Sequence, residues 1–432
     1  MRKVSFHTLG CKLNFSESST LSRRFSESDF EVVPFGQQAD VVVINTCSVT
    51  GMADHKCRQA IRKAVKGSPG AFVAVVGCFA QLKADEIANI PGVTLVLGTR
   101  EKCNLPSYVL NYFAGQGVGG VHSGDIGQVI RFDPAYSLHD RTRSFLKVQD
   151  GCDYHCSYCT IPLARGQSRN APVADLVEQA RLIAADGIRE IVLSGVNVGD
   201  FGKSTGETFL QLITALDEVE GLDRIRISSI EPNLLSDEVI AFVAASARFA
   251  PHFHIPLQNG SDKILGLMRR RYSRALFADR VSKARLLMPH CCIGVDVIVG
   301  FPGETDQEFD DAYAFLSALP IAYLHVFAYS ERPNTPAIAL PGKVQPALRA
   351  ERSKRLLALS EAKRLAFYGQ MTGKMARVLW EQRESGGLMT GFTEQYVKVE
   401  APFRSGFLGR VSQVRLGEIT ERGQVHVDFL EE

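Results

Sequence analysis

The 432-residue sequence predicts an α/β protein built from three parts, and three patterns along the chain carry that prediction. Short apolar runs alternate with helix-like segments over residues 1–120, and the same alternation returns over residues 144–371. Residues 372–432 change to short β-type runs that glycines interrupt. Because a chain of this length exceeds one ordinary hydrophobic core, two or three domains are expected.

Residues 1–120 predict an N-terminal parallel-sheet α/β domain. Its apolar runs are separated by helix-like stretches of about 10–15 residues, the pattern of parallel strands joined by crossover helices. The predicted strands are Val4–Thr8, Val41–Asn45, Phe72–Gly77 and Val93–Leu97. Residues 121–143 show little periodicity after a glycine-rich approach and predict a linker.

The central and C-terminal parts predict two different barrels. Six apolar runs alternate with helical patterns over residues 144–371, which predicts an open partial (β/α)6 barrel whose site lies at the carboxyl ends of the strands. These runs are Phe145–Gln149, Ile191–Leu193, Ile225–Ile227, Phe253–Ile255, Ile293–Val299 and Leu324–Phe327. Short strands over residues 372–432 predict a small β-barrel of the OB type.

Composition excludes several classes of protein. Hydrophobic residues make up 45% of the chain, and the net charge of +2 is too small to indicate nucleic-acid binding by itself. The N-terminal apolar stretch is too short for a signal peptide, and no run of about 18 apolar residues predicts a membrane span. We therefore expect a cytoplasmic protein, in which ten cysteines indicate metal binding or catalysis before disulfides.

A cysteine loop follows the first predicted barrel strand. Cys152, Cys156 and Cys159 have C-x3-C-x2-C spacing, which supplies three thiolates to a four-iron cube. Because such a cluster is normally held by four thiolates, the fourth iron keeps an open coordination site. The alternatives are a zinc site or three unrelated thiols. Zinc would need a fourth nearby ligand, and His155 is not at ligand spacing.

A second set of three cysteines lies in the N-terminal domain. Cys11, Cys47 and Cys78 each come just after the end of a predicted parallel strand. The carboxyl ends of such strands form the ligand-binding edge of a sheet, so three loops there can bring three thiolates together. The alternative is three buried structural cysteines, the commoner fate of a scattered cysteine.

The cysteine loop and the segments after the next strands resemble the radical S-adenosylmethionine superfamily. That resemblance implies a [4Fe-4S] cluster whose open iron chelates S-adenosylmethionine and cleaves it to a 5′-deoxyadenosyl radical, with the cofactors supplying the difficult chemistry. It also implies cofactor contacts from residues at the predicted strand ends, together with a tyrosine in the loop. These residues are Tyr158, Ser194, Gly195, Asn197, Glu231, Gln258, Asn259 and Asp296.

Both cysteine sets together resemble the radical-SAM methylthiotransferases over nearly the whole chain. The resemblance implies that Cys11, Cys47 and Cys78 hold a second [4Fe-4S] cluster, and that residues 372–432 form a TRAM domain. The opening TLGCKLN is most similar to the branch acting on N6-threonylcarbamoyladenosine-37 of tRNA (the MtaB type). Sister branches act on isopentenyl-adenosine-37 or on a ribosomal-protein aspartate, and both remain alternatives.

This resemblance implies a specific enzyme. The six cysteines would serve catalysis, two S-adenosylmethionine molecules would be consumed, and a methylthio group would be inserted at C2 of the modified adenine. The expected partners are the anticodon stem-loop of tRNA and an electron donor such as flavodoxin or ferredoxin, and a monomer is expected. Rival hypotheses are an RNA-binding iron–sulfur sensor without turnover and a radical enzyme whose second cluster only relays electrons.

Basic residues near the cysteine loop are candidates for substrate binding. Arg165, Arg169 and Arg271 are predicted to contact RNA, because phosphate neutralisation requires arginine or lysine. For the basic helix-like stretch over residues 349–364, RNA contact and an ordinary solvated face are equally good interpretations. One departure from the family pattern is Asn334, where a glycine is usual before Thr335, so the shape of that loop is open.

Overall fold

The computed structural model describes residues 1–117, 119–138 and 141–430. Positions 118, 139, 140, 431 and 432 fall within the predicted N-terminal domain, linker and C-terminal domain and lie outside the described residues. The α/β architecture with a parallel N-terminal sheet, a central barrel of parallel strands and a C-terminal β-barrel confirms the predicted fold class.

The N-terminal domain contains a six-stranded sheet in the order β2-β1-β3-β4-β5-β6, and every pairing in it is parallel. Its strands are β1 Arg2–Thr8, β2 Phe30–Val33, β3 Val41–Thr46, β4 Phe72–Gly77, β5 Leu95–Leu97 and β6 Gly120–His122. Its helices are α1 Lys12–Ser26, α2 Gly51–Gly67, α3 Cys78–Leu82, α4 Ala84–Ala88 and α5 Leu105–Phe113. The strand order reverses between β1 and β3, which is where doubly wound sheets bind ligands.

The central strands form two parallel three-stranded sheets, β7-β8-β9 and β10-β11-β12. The strands are β7 Ser144–Lys147, β8 Glu190–Ser194, β9 Arg224–Ile227, β10 His252–His254, β11 Cys292–Val299 and β12 Tyr323–Ala328. The helices are α6 Ile161–Arg165, α7 Val173–Ala185, α8 Phe209–Asp217, α9 Asp237–Ala245, α10 Asp262–Leu267, α11 Arg274–Leu287 and α12 Asp306–Ala318. Parallel bridges between Ile225 and Phe249 and between Ser229 and His254 join the two sheets into one open barrel.

A long helix, α13 Pro346–Met371, leads from the central barrel to a closed five-stranded barrel. Its strands are β13 Met375–Ser385, β14 Leu388–Thr393, β15 Lys398–Pro402, β16 Val411–Ile419 and β17 Val425–Phe429. The strand order β13-β14-β15-β17-β16, with only β15 and β17 parallel among the described pairings, is that of an OB-type barrel. The indole of Trp380 fills its core and donates a hydrogen bond to Ser412 Oγ at 2.7 Å.

The segment predicted as a linker docks onto both neighbouring domains. The backbone of Tyr136 accepts a hydrogen bond from Thr20 Oγ1 on α1 and forms an antiparallel bridge with Leu146 of β7. Within the described ranges, no helix combines the length and apolar composition needed to cross a bilayer. The N-terminal domain and the central barrel therefore meet through a packed connection, and the contacts between them shape the site.

The loop after β12 adopts a turn that asparagine tolerates. Asn334 has φ +64°, in the left-handed region where glycine is favoured and asparagine is enriched. Thr335 Oγ1 closes the turn by donating to Arg332 O at 2.7 Å. The departure from the family pattern at this position therefore leaves the backbone conformation that a glycine would adopt.

Candidate functional site

Cys11, Cys47 and Cys78, called here the sheet trio, lie at one edge of the N-terminal sheet. Cys11 directly precedes α1, Cys47 follows β3 and Cys78 begins α3 after β4. Gly10, with φ +105°, lets the first two loops touch, because a Cβ there would lie 2.7 Å from Cys47 Cβ. Asn14 joins the same two loops by donating to Leu9 O at 2.7 Å and Thr46 O at 2.9 Å.

Cys47 and Cys78 are buried and Cys11 is exposed, and the three thiols lie close enough to affect one another. Burial, together with the nearby Cys78 and Cys11 thiols, raises the pKa of Cys47 to about 12. Burial also raises the pKa of Cys78, with Arg165 opposing the shift. These two thiols are therefore protonated in the metal-free protein at neutral pH, and iron binding there would release protons.

Cys152, Cys156 and Cys159, called here the barrel trio, lie in one loop between β7 and α6. Backbone amides point at two of the sulfurs, because Tyr154 N donates to Cys152 Sγ and Ile161 N to Cys159 Sγ, each at 3.4 Å. Burial raises the pKa of both Cys152 and Cys159 to about 12. Amide–sulfur contacts of this kind support thiolates that ligate an iron–sulfur cluster.

The two cysteine loops contact each other directly. Thr160, next to Cys159, donates from Oγ1 to the carbonyl of Ser48, next to Cys47, at 3.2 Å. From the loop after β12, Arg332 donates to Ser48 Oγ at 2.7 Å and to Asp54 at 2.8 Å. The sheet trio and the barrel trio therefore lie on opposite sides of one domain junction.

A buried set of charges fixes that junction, and we call it the interface network. Glu17 of α1 accepts from Lys102 at 2.6 Å, from Lys147 at 3.2 Å and from Arg165 at 3.1 Å. Although burial opposes it, the attraction of Arg165 and the lysines holds the pKa of Glu17 well below its usual range. The network also contains Asp150, beside the cysteine loop, whose pKa is lowered by Lys147 and Arg165 against the effect of burial.

Two of the three predicted RNA-binding arginines belong to this network. Arg165 donates to Asp150 at 2.8 Å and to Asn14 at 2.6 Å, and Arg169 donates to Asp150 at 3.0 Å. Their side chains are 2% and 5% exposed. The prediction that they contact RNA is wrong, because buried, fully engaged guanidiniums cannot reach phosphates. The spacing from the cysteine loop indicated proximity but not direction.

The third predicted arginine, Arg271, stays on the surface, whereas its neighbour Arg270 contacts the barrel trio. Arg271 is exposed, donates to Asp153 O at 3.0 Å and stacks over the ring of Tyr154. Arg270 instead turns inward and contacts Cys156 Sγ at 3.0 Å. Its carboxylate partner is Glu231, one of the predicted cofactor contacts.

The ends of β7 and β8 form a close cradle around three predicted cofactor contacts. Ser194 and Gly195 line the interdomain cavity, and a Cβ on Gly195 would lie 2.9 Å from Gln149 Oε1. The same Gln149 oxygen accepts from the backbone of Asn197 at 3.0 Å. The amide of Asn197 is buried, and neither its oxygen nor its nitrogen has a hydrogen-bond partner among the described residues.

The remaining predicted cofactor contacts differ in how far their side chains are already engaged by other residues. Tyr158 is half-buried and packs edge-to-face on Phe301, with 6.1 Å between ring centroids. Gln258, in the loop after β10, has φ +69°, and Asp296 accepts from His254 Nε2 at 2.8 Å. The side-chain amide of Asn259 bonds Ile298 O, Glu304 and Ser261 N and braces the turn, and its contact with a cofactor stays a prediction.

The basic helix α13 is largely occupied by ion pairs with the barrel. Arg352 is buried and donates to Glu304 at 2.6 Å, while Arg349 pairs with Glu331 at 2.6 Å. Arg355 pairs with Asp310 at 2.9 Å on the outside. The helix therefore attaches to the barrel through Arg349 and Arg352, whereas Lys354 and Arg355 stay on an exposed face.

One cavity of about 460 Å³ lies between the domains. Its wall includes Cys11 of the sheet trio, Ser194 and Gly195 at the barrel mouth, and Tyr396 from the C-terminal barrel. Tyr396 has φ +64° and stacks on Phe392 with 4.9 Å between centroids. All three structural parts of the chain therefore contribute to a space within the size range of ligand pockets.

Comparison with known proteins agrees with this geometry. Residues 3–98 match the Uncharacterized protein family UPF0004, and residues 146–316 match the Radical SAM superfamily. The chain is 38% identical to the threonylcarbamoyladenosine tRNA methylthiotransferase MtaB of Bacillus subtilis, over 96% of this chain and 94% of the relative. The chain belongs to the MtaB-type radical-SAM methylthiotransferases.

The chain is also similar to other proteins in sequence and in structure. The MtaB of Aquifex aeolicus is 38% identical over 87% of this chain and 92% of its own length. The tRNA-2-methylthio-N(6)-dimethylallyladenosine synthase of Frankia alni is 34% identical over 89% and 78%. A solved radical S-adenosylmethionine methyltransferase, TsrM from Kitasatospora setae, superposes with a TM-score of 0.58 at 14% identity, covering 90% of this chain and 77% of that one, and shows the shared fold.

The residues present fit the cofactors of a radical-SAM tRNA methylthiotransferase, which are iron–sulfur clusters and S-adenosylmethionine. All ten cysteines are free, so both trios are available as ligands. The buried amide of Asn197, which has no partner among the described residues, lies beside the close Gly195 cradle and offers both a donor and an acceptor to an amino-acid group. A buried amide left unpaired costs free energy unless a ligand or water satisfies it.

Sequence reasoning missed several residues of this methylthiotransferase site. Lys12, Arg226 and His254 line the cavity but were not among the candidates. Lys12 carried a signal, since it stands in the TLGCKLN segment directly after a predicted cluster ligand. Arg226 lies in β9, where arginines alternate with isoleucines, and it pairs with Glu190 at 3.2 Å. The alternation places it on the face opposite the isoleucines but does not indicate that this face lines the cavity.

Proposed function

We propose that the enzyme replaces the C2 hydrogen of N6-threonylcarbamoyladenosine-37 in tRNA with a methylthio group. The observation that carries the proposal is the interdomain cavity, whose wall joins Cys11 of the sheet trio to Ser194 and Gly195 at the barrel mouth. A base bound there would reach both sides of the junction. Relatives named MtaB at 34–38% identity favour threonylcarbamoyladenosine as the modified base.

In this proposal the chain supplies ligands, orientation and exclusion of water. A [4Fe-4S] cluster on the barrel trio, with S-adenosylmethionine, would supply the one-electron chemistry that breaks the C2–H bond, and a second cluster on the sheet trio would carry the sulfur. Asn197 and the Gly195 backbone would hold the amino-acid end of S-adenosylmethionine. Glu231 and Arg270 would close the barrel mouth as a buried ion pair.

The atoms balance with two S-adenosylmethionine molecules per product. One accepts an electron from a donor such as flavodoxin or ferredoxin and leaves as methionine and 5′-deoxyadenosine, which takes the C2 hydrogen. The other would donate its methyl group to a sulfide supplied through the second cluster and would leave as S-adenosylhomocysteine. When the resulting methylthiolate bonds to the C2 radical, the one electron that is released would return to that cluster. We expect a monomer that binds the anticodon stem-loop of tRNA.

The domain assignment is part of the same proposal. Residues 1–120 would form the methylthiotransferase domain with the second cluster, and residues 144–371 the radical-SAM domain after a linker at 121–143. Residues 372–432 would form a TRAM domain. Tyr396 and Phe392 supply the stacked aromatic pair with which that barrel reaches the cavity.

Anaerobic turnover with defined RNAs tests the proposal. Anticodon stem-loops carrying threonylcarbamoyladenosine-37 or isopentenyl-adenosine-37 would be incubated with reconstituted enzyme, reductant and S-adenosylmethionine, then digested to nucleosides for mass spectrometry. The proposal expects a methylthio product from the first RNA only. A product from the isopentenyl RNA alone would replace the substrate assignment, and absence of 5′-deoxyadenosine would favour a sensor without turnover.

A further inference from the structure

The interdomain cavity has a cationic wall, and two of its positive charges have no acidic partner in the part of the chain that the structure describes. Four basic side chains line it, namely Lys12, Arg141, Arg143 and Arg226. Arg143 and Arg226 share Glu190, at 3.1 and 3.2 Å. Neither Lys12 nor Arg141 has a carboxylate of any described residue within salt-bridge distance.

The two unpaired cations lie on the same side of the cavity. Arg141 stacks over the ring of Phe15, 4.4 Å from its centroid. Phe15 lies three residues after Lys12 on α1, so both side chains share one face of that helix. Asp296, whose charge acts on Lys12, already accepts a hydrogen bond from His254 at 2.8 Å. Among the described residues, no carboxylate pairs with Lys12 or Arg141, and an anionic ligand could take that place.

We propose that Lys12 and Arg141 bind the carboxylate of the threonyl group on the substrate adenine and so select threonylcarbamoyladenosine. This inference rests on the proposed function. Threonine joined to adenine through its amino group keeps a free carboxylate, whereas an isopentenyl group is apolar and uncharged. A lysine and an arginine that no described carboxylate neutralises match the first substituent, and leaving them without an anion would penalise the second.

The position of Lys12 favours this carboxylate over an RNA phosphate. Lys12 directly follows Cys11, so a group bound to it lies at the reacting end of the nucleotide. C2 and the N6 substituent belong to the same six-membered ring of adenine, while the phosphates lie beyond the ribose at the opposite side. A base that brings C2 to the sheet trio therefore carries its N6 substituent into the same cavity.

Paired RNAs that differ by one charge test the inference. Reconstituted enzyme would be given stem-loops carrying threonylcarbamoyladenosine-37 or its neutral methyl ester, and both kcat/KM and RNA binding by fluorescence anisotropy without reductant would be measured. Charge-assisted hydrogen bonds of this kind predict a preference for the acid of about 10- to 100-fold. Lys12→Gln and Arg141→Gln should each reduce that preference by about tenfold, mainly by lowering kcat/KM and affinity for the RNA that carries the free carboxylate.

Matched controls separate this role from general damage. Lys66→Gln removes an exposed lysine on α2, outside the cavity, and should leave the preference unchanged. Iron analysis of each variant reports on loading near Cys11, and Arg141→Gln tests the inference at a position outside the cysteine loops. If Lys12→Gln and Arg141→Gln weaken the binding of unmodified adenine-37 RNA as much as they weaken the binding of the threonylcarbamoyl RNA, the two cations contact phosphates. That result would overturn the inference.

The outcomes also separate this inference from the proposed function. If the wild-type enzyme modifies acid and ester equally well, the substrate assignment survives and carboxylate recognition fails. If it modifies only isopentenyl RNA, both fail. A loss of preference in the two cavity variants, with methylthio product still formed from the acid by the wild type, supports both.

Discussion

The barrel trio comes from one loop over residues 152–159, whereas the sheet trio comes from three loops between residues 11 and 78. In the barrel, spacing alone brings the sulfurs together. In the sheet, they meet because β1, β3 and β4 are adjacent and parallel, so their carboxyl ends share an edge. A local ligand set depends on its loop, and a dispersed one depends on the whole sheet and on what packs against it.

What packs against the sheet trio is the interface network. Glu17 lies on the helix that begins after Cys11. Its partner Arg165 also donates to Asp150, which lies beside the cysteine loop of the barrel. The dispersed trio is thus positioned by charges that belong partly to the other domain. The following changes break or sharpen this comparison.

The largest effect is expected from Cys156→Ala in the barrel trio. Outer partners of a metal site alone cost about 10- to 100-fold when removed, so loss of a ligand should reduce activity by more than about 100-fold. Both 5′-deoxyadenosine and methylthio product should fall together, as measured by liquid chromatography. Retention of either at wild-type rate would remove this loop from the chemistry.

Cys78→Ala should separate the two trios. We expect 5′-deoxyadenosine formation to continue while methylthio product falls by more than about 100-fold, because only the sulfur-carrying side loses a ligand. Cys103→Ala in the same domain is the matched control and should keep both products. If methylthio product persists in Cys78→Ala, the second cluster is an electron relay or is absent.

Glu17→Gln tests how far the dispersed trio depends on the junction. Removing one partner of a buried ion pair leaves Lys102, Lys147 and Arg165 with one fewer anion, and such losses cost about 3–5 kcal/mol. Chemical denaturation of the full chain would measure the change in the free energy of unfolding. Glu27→Gln, exposed just after the same helix, should change it by less than about 0.5 kcal/mol.

The pH dependence of stability should carry the same signature. The pKa of Glu17 is depressed in the folded protein, so its contribution is complete above the ordinary value of 4.5 and is lost as pH falls below it. The free energy of unfolding should therefore decline between about pH 5 and pH 3, and less steeply in Glu17→Gln. Equal slopes in the two proteins would show that Glu17 is not held ionised by the network.

The smallest effect is expected at Asn334. Its φ of +64° suits glycine, but glycine also adds about 0.4–1 kcal/mol of chain entropy to the unfolded state, so Asn334→Gly should be neutral within about 0.5 kcal/mol. Asn334→Ala should destabilise by about 1 kcal/mol, because alanine adopts this region less readily. Thermal unfolding of the two variants side by side measures the difference.

Much of the fold could be predicted because its signals are local. The strand Phe72–Gly77 is found as predicted, and the other predicted strands of the two parallel domains shift by a few residues at their ends. β2 and β6 were missed because they are short edge strands with exposed residues, which lack a continuous apolar run. β14 alternates buried and half-buried residues across a glycine, so its pattern is weak.

The site could be predicted only as far as ligands and strand ends allow. Side-chain direction was not accessible, and for that reason Arg165 and Arg169 were assigned to RNA although they face Glu17 and Asp150. Arg271 was chosen where its neighbour Arg270 turns inward. Long-range pairing decides such cases, and a sequence reports residue types without reporting which partner a buried charge meets.

Iron analysis of the anaerobically reconstituted protein tests the central claim of two three-cysteine clusters most directly. The wild type is expected to hold about eight irons per chain. Replacing the sheet trio with alanine, or replacing the barrel trio with alanine, should each leave about four. A wild type with about four irons, or a variant in which loss of either trio leaves the iron content unchanged, would contradict the account.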